Sequence, residues 1–108
     1  MKRIVLGLAV LALGAAAFPS CLAAQSDAAG LFKSKCVLCH AEDGSGNSPS
    51  GKALKAKDLR SPETQTKSDA ELAEVISKGR NKMPAFAQKL KPDQIQQLVA
   101  YVRQLAKK

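Results

Sequence analysis

Five residues constrain this chain more than any others: Cys36-Val37-Leu38-Cys39-His40. Two cysteines three positions apart on a helical turn point to the same side. Each can add across one vinyl group along one edge of a haem, making two thioether bonds. The next residue, His40, is then carried under the ring, where its Nε2 can reach the iron. Attachment of this kind makes ring, iron and ligand one unit.

Three other uses of a C-x-x-C pair have to be weighed. A thioredoxin-like redox pair needs a βαβ context, and no strand pattern here survives four residues of alternation. A zinc site needs four ligands, and beyond residue 24 the chain offers one His, two Cys and no second cluster. A structural disulfide across so short a loop constrains the unfolded chain little. Haem attachment is the reading that remains.

The first 24 residues read as an address. Lys2 and Arg3 form a basic start, Ile4 to Ala17 is an uncharged run rich in Leu, Ala and Val, and Pro19 breaks it. Small residues follow up to Ala23-Ala24, as in a secretory signal peptide. The apolar run is short of the about 20 residues that span a membrane, so an uncleaved anchor is the weaker alternative. The expectation is a signal peptide over 1–24, cleaved after Ala24 or Ala23, and a single domain over 25–108. The product would be periplasmic, with no stable membrane insertion. Phe18-Pro19-Ser20-Cys21 weakly resembles a lipoprotein processing site. Because Phe18 and Pro19 fit it poorly, Cys21 is placed in the discarded segment, and a lipid-anchored form through Cys21 is the lesser alternative.

Cleavage would leave 84 residues and lower the net charge from +8 to +6, since Lys2 and Arg3 depart. So small a domain buries a modest fraction of its surface and usually needs a staple. Phe32, Phe86 and Tyr101 would be its only aromatic side chains, so something besides side chains has to fill the core.

The pattern of elements is all-α, with three main helices. Ser26 or Asp27 can cap a helix running through Leu31 and Phe32 toward Cys36. Gly44 to Gly51 reads as a loop. Lys52 to Thr66 reads as a wrapped polar segment with one helical turn at most. Ser68-Asp69-Ala70-Glu71 matches a capping box, Leu72, Val75 and Ile76 follow at helical spacing, and Gly79 is a stop. Pro92 suits the first position of a last helix, whose apolar stripe is Ile95, Leu98, Val99, Val102 and Leu105.

Met83 is the candidate second axial ligand. It is the only Met beyond the leader, it lies 43 residues after His40, and Pro84 stiffens the backbone just after it. A thioether is a soft ligand, and His/Met coordination raises the reduction potential of haem iron. The bland alternative is a gap-filling core Met, for which the polar run Arg80-Asn81-Lys82 is a poor setting.

On these residues the chain resembles a small bacterial class I c-type cytochrome, a monohaem cytochrome c. The resemblance covers essentially all of 25–108: a first helix ending in the Cys-x-x-Cys-His motif, a Gly-rich loop, a middle helix, Gly79-x-x-x-Met83-Pro84, and a last helix containing Tyr101. It implies the cytochrome c fold, with loops wrapped around one haem c bound covalently through Cys36 and Cys39. It implies iron held by His40 and Met83, and a soluble one-electron carrier rather than an enzyme. It further implies that the first and last helices cross, with Ala28, Ala29, Gly30 and Phe32 meeting Leu98 and Tyr101. A backbone carbonyl near Pro49 would hold His40 Nδ1–H. The chain departs from the family where Lys91, not Ser or Thr, precedes Pro92.

No nucleophile–base pair for hydrolysis exists, because the one His is committed to iron. Two alternatives to a free carrier stay open: a haem subunit tethered to a larger respiratory complex, and a c-type haem protein with a labile sixth ligand, such as a peroxidase or gas sensor. The cations Lys33, Lys35, Lys52, Lys55, Lys57, Lys78, Arg80, Lys82 and Lys89 bracket the expected haem contacts. They would steer a monomer to redox partner proteins with acidic docking surfaces, against the alternative of a generic solvated surface. The sequence gives no chemistry for a nucleic-acid partner: there is no aromatic platform, recognition motif or Arg-rich run.

Overall fold

The computed structural model describes residues 21–108, without the side chains of 21–26, together with Gly7, Ala9 and Gly14. Most of the expected signal peptide falls outside these residues, as does the side chain of Cys21.

Six helices follow one another: α1 (Cys21–Lys35), α2 (Val37–His40), α3 (Pro49–Leu54), α4 (Pro62–Gln65), α5 (Asp69–Lys78) and α6 (Pro92–Leu105). Among the described residues there is no strand, only an isolated antiparallel bridge between Arg80 and Met83. The long helices α1, α5 and α6 are the three expected from the sequence, so the all-α assignment holds.

The frame is a crossing of α1 and α6 with α5 laid against α6. Ile95, Leu98, Val99, Val102 and Leu105 recur at steps of three and four, and all five are buried. Phe32 meets Tyr101 with ring centroids 4.9 Å apart and planes tilted by 43°, a geometry aromatic pairs favour. Phe32 and Leu98 join Phe86, Leu90, Ile95 and Leu105 in one buried cluster. Leu72 of α5 packs with Val99 and Val102 in a second. The crossing is the expected one, with one correction. Ala28 is buried, but Ala29 and Gly30 are exposed. Ala28 and Phe32 are four apart and share a face, whereas the next two residues rotate away from it.

Two boundaries also differ from expectation. The helix α1 begins at Cys21, upstream of Ser26 and Asp27. Leu22-Ala23-Ala24-Gln25 are good helix formers and carry the helix upstream of Ser26. The loop after the motif gives way to α3 at Pro49, while α4 is the one helical turn expected of the wrapped segment. Both short helices start on a Ser-Pro pair, with Ser48 Oγ accepting from Gly51 N and Ser61 Oγ from Thr64 N. That is an N-cap followed by proline at the first helical position. A single turn is too short to display an apolar period.

The capping box of α5 is present. Ser68 N donates to the Glu71 carboxylate at 2.9 Å, and Glu71 N donates to Ser68 Oγ at 3.1 Å. At α6 only half of such a box exists. Lys91 N donates to Gln94 Oε1 at 2.8 Å, but a lysine side chain has no acceptor to return. Lys91→Ser is therefore expected to stabilise the protein by ~1 kcal/mol. In thermal melts that is an upward shift of about 4–8 °C; an unchanged midpoint would show that the α6 start needs no cap.

Candidate haem site

The turn α2 is one cycle of helix, and it places Cys36, Cys39 and His40 together. His40 N donates to Cys36 O at 2.9 Å, and Cys39 N to the same carbonyl at 3.2 Å. The loop that follows takes up the carbonyls this short helix leaves open. Gly46 N donates to His40 O at 2.8 Å, and Ser48 Oγ reaches Leu38 O at 2.7 Å and Cys39 O at 3.1 Å. Gly51 presses α3 onto this turn: a Cβ there would run into the carbonyl oxygens of Cys39 and Gly46. Only glycine permits that approach.

Both cysteines are free thiols and half-buried. Burial, and then the neighbouring Cys39, would push the Cys36 thiol up to about 11. Such a sulfur stays protonated at neutral pH until it is alkylated. The two free thiols, three residues apart, are the donor set that covalent haem requires.

His40 is half-buried, and its Nδ1 lies 3.0 Å from Lys57 O. A carbonyl only accepts, so Nδ1 carries the proton. Burial holds the imidazole below its usual value, opposed in part by the Lys57 bond. The ring is neutral at pH 7, and Nε2 keeps its lone pair. The carbonyl belongs to Lys57, which corrects the expectation of Pro49 or a neighbour. Pro49 is taken up as the first residue of α3, while the chain between α3 and α4 returns across the histidine. The segment is braced by Asp58, whose carboxylate accepts from Arg60 N at 2.9 Å and Arg60 Nε at 3.1 Å. These bonds, the side-chain one first, hold the Asp58 carboxyl below its usual range.

Met83 sits in a tight turn. Met83 N donates to Arg80 O at 2.9 Å and Arg80 N to Met83 O at 3.2 Å, with Asn81 at a φ of 54°. At Gly79 (φ +75°) a Cβ would stand 2.6 Å from Met83 O and 2.9 Å from Ala85 N. This glycine both stops α5 and makes room for the Met83 turn. Phe86 N to Ile76 O at 3.0 Å and Ala87 N to Ser77 O at 3.1 Å tie the turn back to α5. The Met83 and Cys36 side chains, both half-buried, pack against the same cluster as Phe32, Phe86 and Leu98. The two ends of the candidate site therefore share one apolar wall.

Among the described residues no group of three or more His, Cys, Asp or Glu could hold a bare metal ion. No described helix is long and apolar enough to cross a membrane. Of the nine cations singled out in the sequence, Lys57 pairs with Glu63 at 3.3 Å and Lys78 with Glu74 at 3.0 Å. The other seven make no ion pair among the described residues. Among the described residues the most exposed large apolar side chain is Leu38, between the two cysteines.

A family model described as cytochrome C oxidase, cbb3-type, subunit III matches residues 23–102. A relative described as cytochrome c6, from Nostoc sp. (strain PCC 7120 / SAG 25.82 / UTEX 2576), is 41% identical over 105 residues, which covers 94% of this chain and 92% of that one. The chain belongs to the c-type cytochromes. A solved structure described as the KustC0563 c-type cytochrome superposes with a TM-score of 0.68 at 32% identity, over 73% of this chain and 96% of that chain. As a c-type cytochrome the protein is an electron carrier with covalently bound haem c and its iron, and Cys36 and Cys39 fit the attachment motif.

Proposed function

We propose that this cytochrome is a periplasmic one-electron carrier in which His40 and Met83 hold the iron from opposite faces. The observation that carries the reading is the Lys57 carbonyl on His40 Nδ1. It leaves Nε2 as the one ring nitrogen free to bind, on the residue directly after two free thiols. The haem supplies the one-electron couple when bound. The protein orients and shields it: Lys57 fixes the histidine tautomer, the Arg80–Met83 turn presents the thioether, and Phe32, Leu98 and Phe86 exclude water. With both axial positions filled, small ligands are kept off and little has to move on turnover.

Processing after Ala24 fits the extents of the two matches. Residues 25–108 make up less than four-fifths of the chain, so a match over 94% of it reaches into the leader. The solved neighbour spans 96% of its own length but 73% of this one, as a helical domain without such a leader would. The mass of the purified periplasmic product tests this directly: residues 25–108 plus one haem is the expected value. The far-red Fe–S(Met) absorption band of the oxidised protein tests the sixth ligand, and rapid CO binding to the reduced protein would instead favour a labile sixth position.

The second reading is a haem subunit tethered to a larger respiratory complex. The description of the matching family model favours it. Recovery of the protein in the membrane fraction, or a lipid-modified Cys21 N-terminus, would establish it.

The unpaired cations Lys33, Lys35, Lys52, Lys55, Arg80, Lys82 and Lys89 support docking of the monomer to acidic partner surfaces. Steering of this kind is screened over a Debye length of about 10 Å at 0.1 M salt. The bimolecular electron-transfer rate with an acidic partner is expected to fall roughly tenfold between low salt and about 0.5 M. A flat or rising dependence would leave the lysines as solvated surface only.

A further inference from the structure

The short helix α4 contains none of the candidate ligands, yet it carries one of the two buried polar side chains of the described domain. Thr64 is 6% exposed, and its Oγ1 donates to Asp58 O at 3.1 Å. Ser61 Oγ donates to the same carbonyl at 2.7 Å. Gln65 Nε2 donates to Leu59 O at 2.7 Å and to Val102 O of α6 at 3.1 Å. Leu59 N donates to Gly44 O at 2.7 Å, and Arg60 N to the Asp58 carboxylate at 2.9 Å. From Asp58 O to Arg60 N, four consecutive backbone polar groups are therefore engaged, immediately after the carbonyl that holds His40.

The far side of α4 is anchored too. Arg103 Nη1 donates to Gln65 O at 3.0 Å, and Arg103 also bonds Asp69 at 2.9 Å and the Lys67 carbonyl. Its side chain is 25% exposed, against 71% for Asp69. A continuous set of hydrogen bonds thus runs from α6 through α4 to the residue next to Lys57. Solvent is mostly kept from the α4 end of it.

We propose that α4 is a bracket that sets the strength of the His40–Lys57 hydrogen bond, with Thr64 and Gln65 as positioning residues for the axial histidine. This rests on the reading of His40 as iron ligand. A hydrogen bond from the outer ring nitrogen raises the basicity of a ligating imidazole. A firmer bond therefore favours the oxidised iron, and a slacker one favours the reduced iron. Removing the Thr64 hydroxyl leaves Asp58 O to the two Ser61 donors alone and loosens the bracket, so that the Lys57 carbonyl drifts from Nδ1 and the potential rises.

The experiment uses the holoprotein with Thr64→Val, Thr64→Ser and Gln65→Met. Valine keeps the buried volume and removes the hydroxyl, whereas serine keeps the hydroxyl and removes the methyl. The readouts are the midpoint potential, solvent exchange of the hyperfine-shifted His40 Nδ1–H in the oxidised protein, and the thermal midpoint. Thr64→Val is expected to shift the Fe(III)/Fe(II) equilibrium three- to tenfold toward Fe(II), about 28 to 59 mV for one electron, and to speed the exchange. Gln65→Met should act in the same direction by less. Thr64→Ser should melt lower yet keep the wild-type potential and exchange. If Thr64→Val melts lower with both redox readouts unchanged, or if Thr64→Ser moves the potential as far as valine does, α4 only packs and the bracket is overturned. A wild-type protein with no protected Nδ1–H would also overturn the bracket, by removing the Lys57 bond, whereas the absence of any hyperfine-shifted His40 ring signal would remove His40 as the ligand.

Discussion

Cys36→Ser/Cys39→Ser protein, expressed with a working haem-ligation machinery, is expected to yield essentially no stable red product. The effect is large because the domain lacks the means to replace what is lost. Its buried aromatic residues are Phe32 and Phe86, and the half-buried Cys36, Val37, Leu59 and Met83 lean on the same cluster. Small domains of this size depend on a staple for the last few kcal/mol. Two thioethers make the haem part of the chain, so its burial counts toward folding rather than toward a separate binding equilibrium. The bonds from Ser48 and Gly46 to the carbonyls of Leu38, Cys39 and His40 use no cysteine side chain, so the loss falls on the haem and the cluster around it rather than on the motif turn. The check is haem-stained yield and intact mass from the periplasm. Folded, haem-loaded double variant at the wild-type yield would remove the thioethers from the account.

How legible this was in the sequence differs from element to element. The residues Ile95, Leu98, Val99, Val102 and Leu105 announced α6 and its buried face, because fourteen residues give an apolar stripe room to repeat. Ser68 and Glu71 marked the start of α5 for a local reason: a capping box is closed within four residues. The helices α3 and α4 left only their Ser-Pro starts, since a turn of helix held by caps carries no stripe of its own. The partner of His40 was harder still. The bond to Lys57 spans seventeen residues and uses a backbone carbonyl, which any amino acid would provide. Nothing in the identity of residue 57 encodes it. What encodes it is distributed among Gly51, Asp58, Thr64 and Gln65, each of which fixes a piece of the path between α2 and α4. The candidate ligand residues could be named because their chemistry is rare in this chain, whereas the residues around them are ordinary ones in particular places.

Met83→Ala is expected to lower the midpoint potential and open the iron to exogenous ligands. Loss of a thioether removes a soft donor that favours the reduced metal. Axial-ligand identity spans about 0.8 V among haem proteins, and a drop on the order of 0.2 V is a modest share of that range. The backbone around the site should survive the change. The turn is held by Arg80 and Met83 main-chain bonds at 2.9 and 3.2 Å, and by Phe86 and Ala87 bonding to α5, none of which uses the side chain. Gly79 keeps its place because its neighbours are Met83 and Pro84 backbone atoms. A fall in potential can thus be read as a change of ligand rather than of fold, provided the helical circular dichroism is retained. The far-red absorption band of the oxidised protein should vanish in the same variant, and CO should bind the reduced form rapidly. If the potential and the band both stay at their wild-type values, Met83 is a core residue that packs beside Phe86, and the sixth ligand must come from elsewhere in the chain.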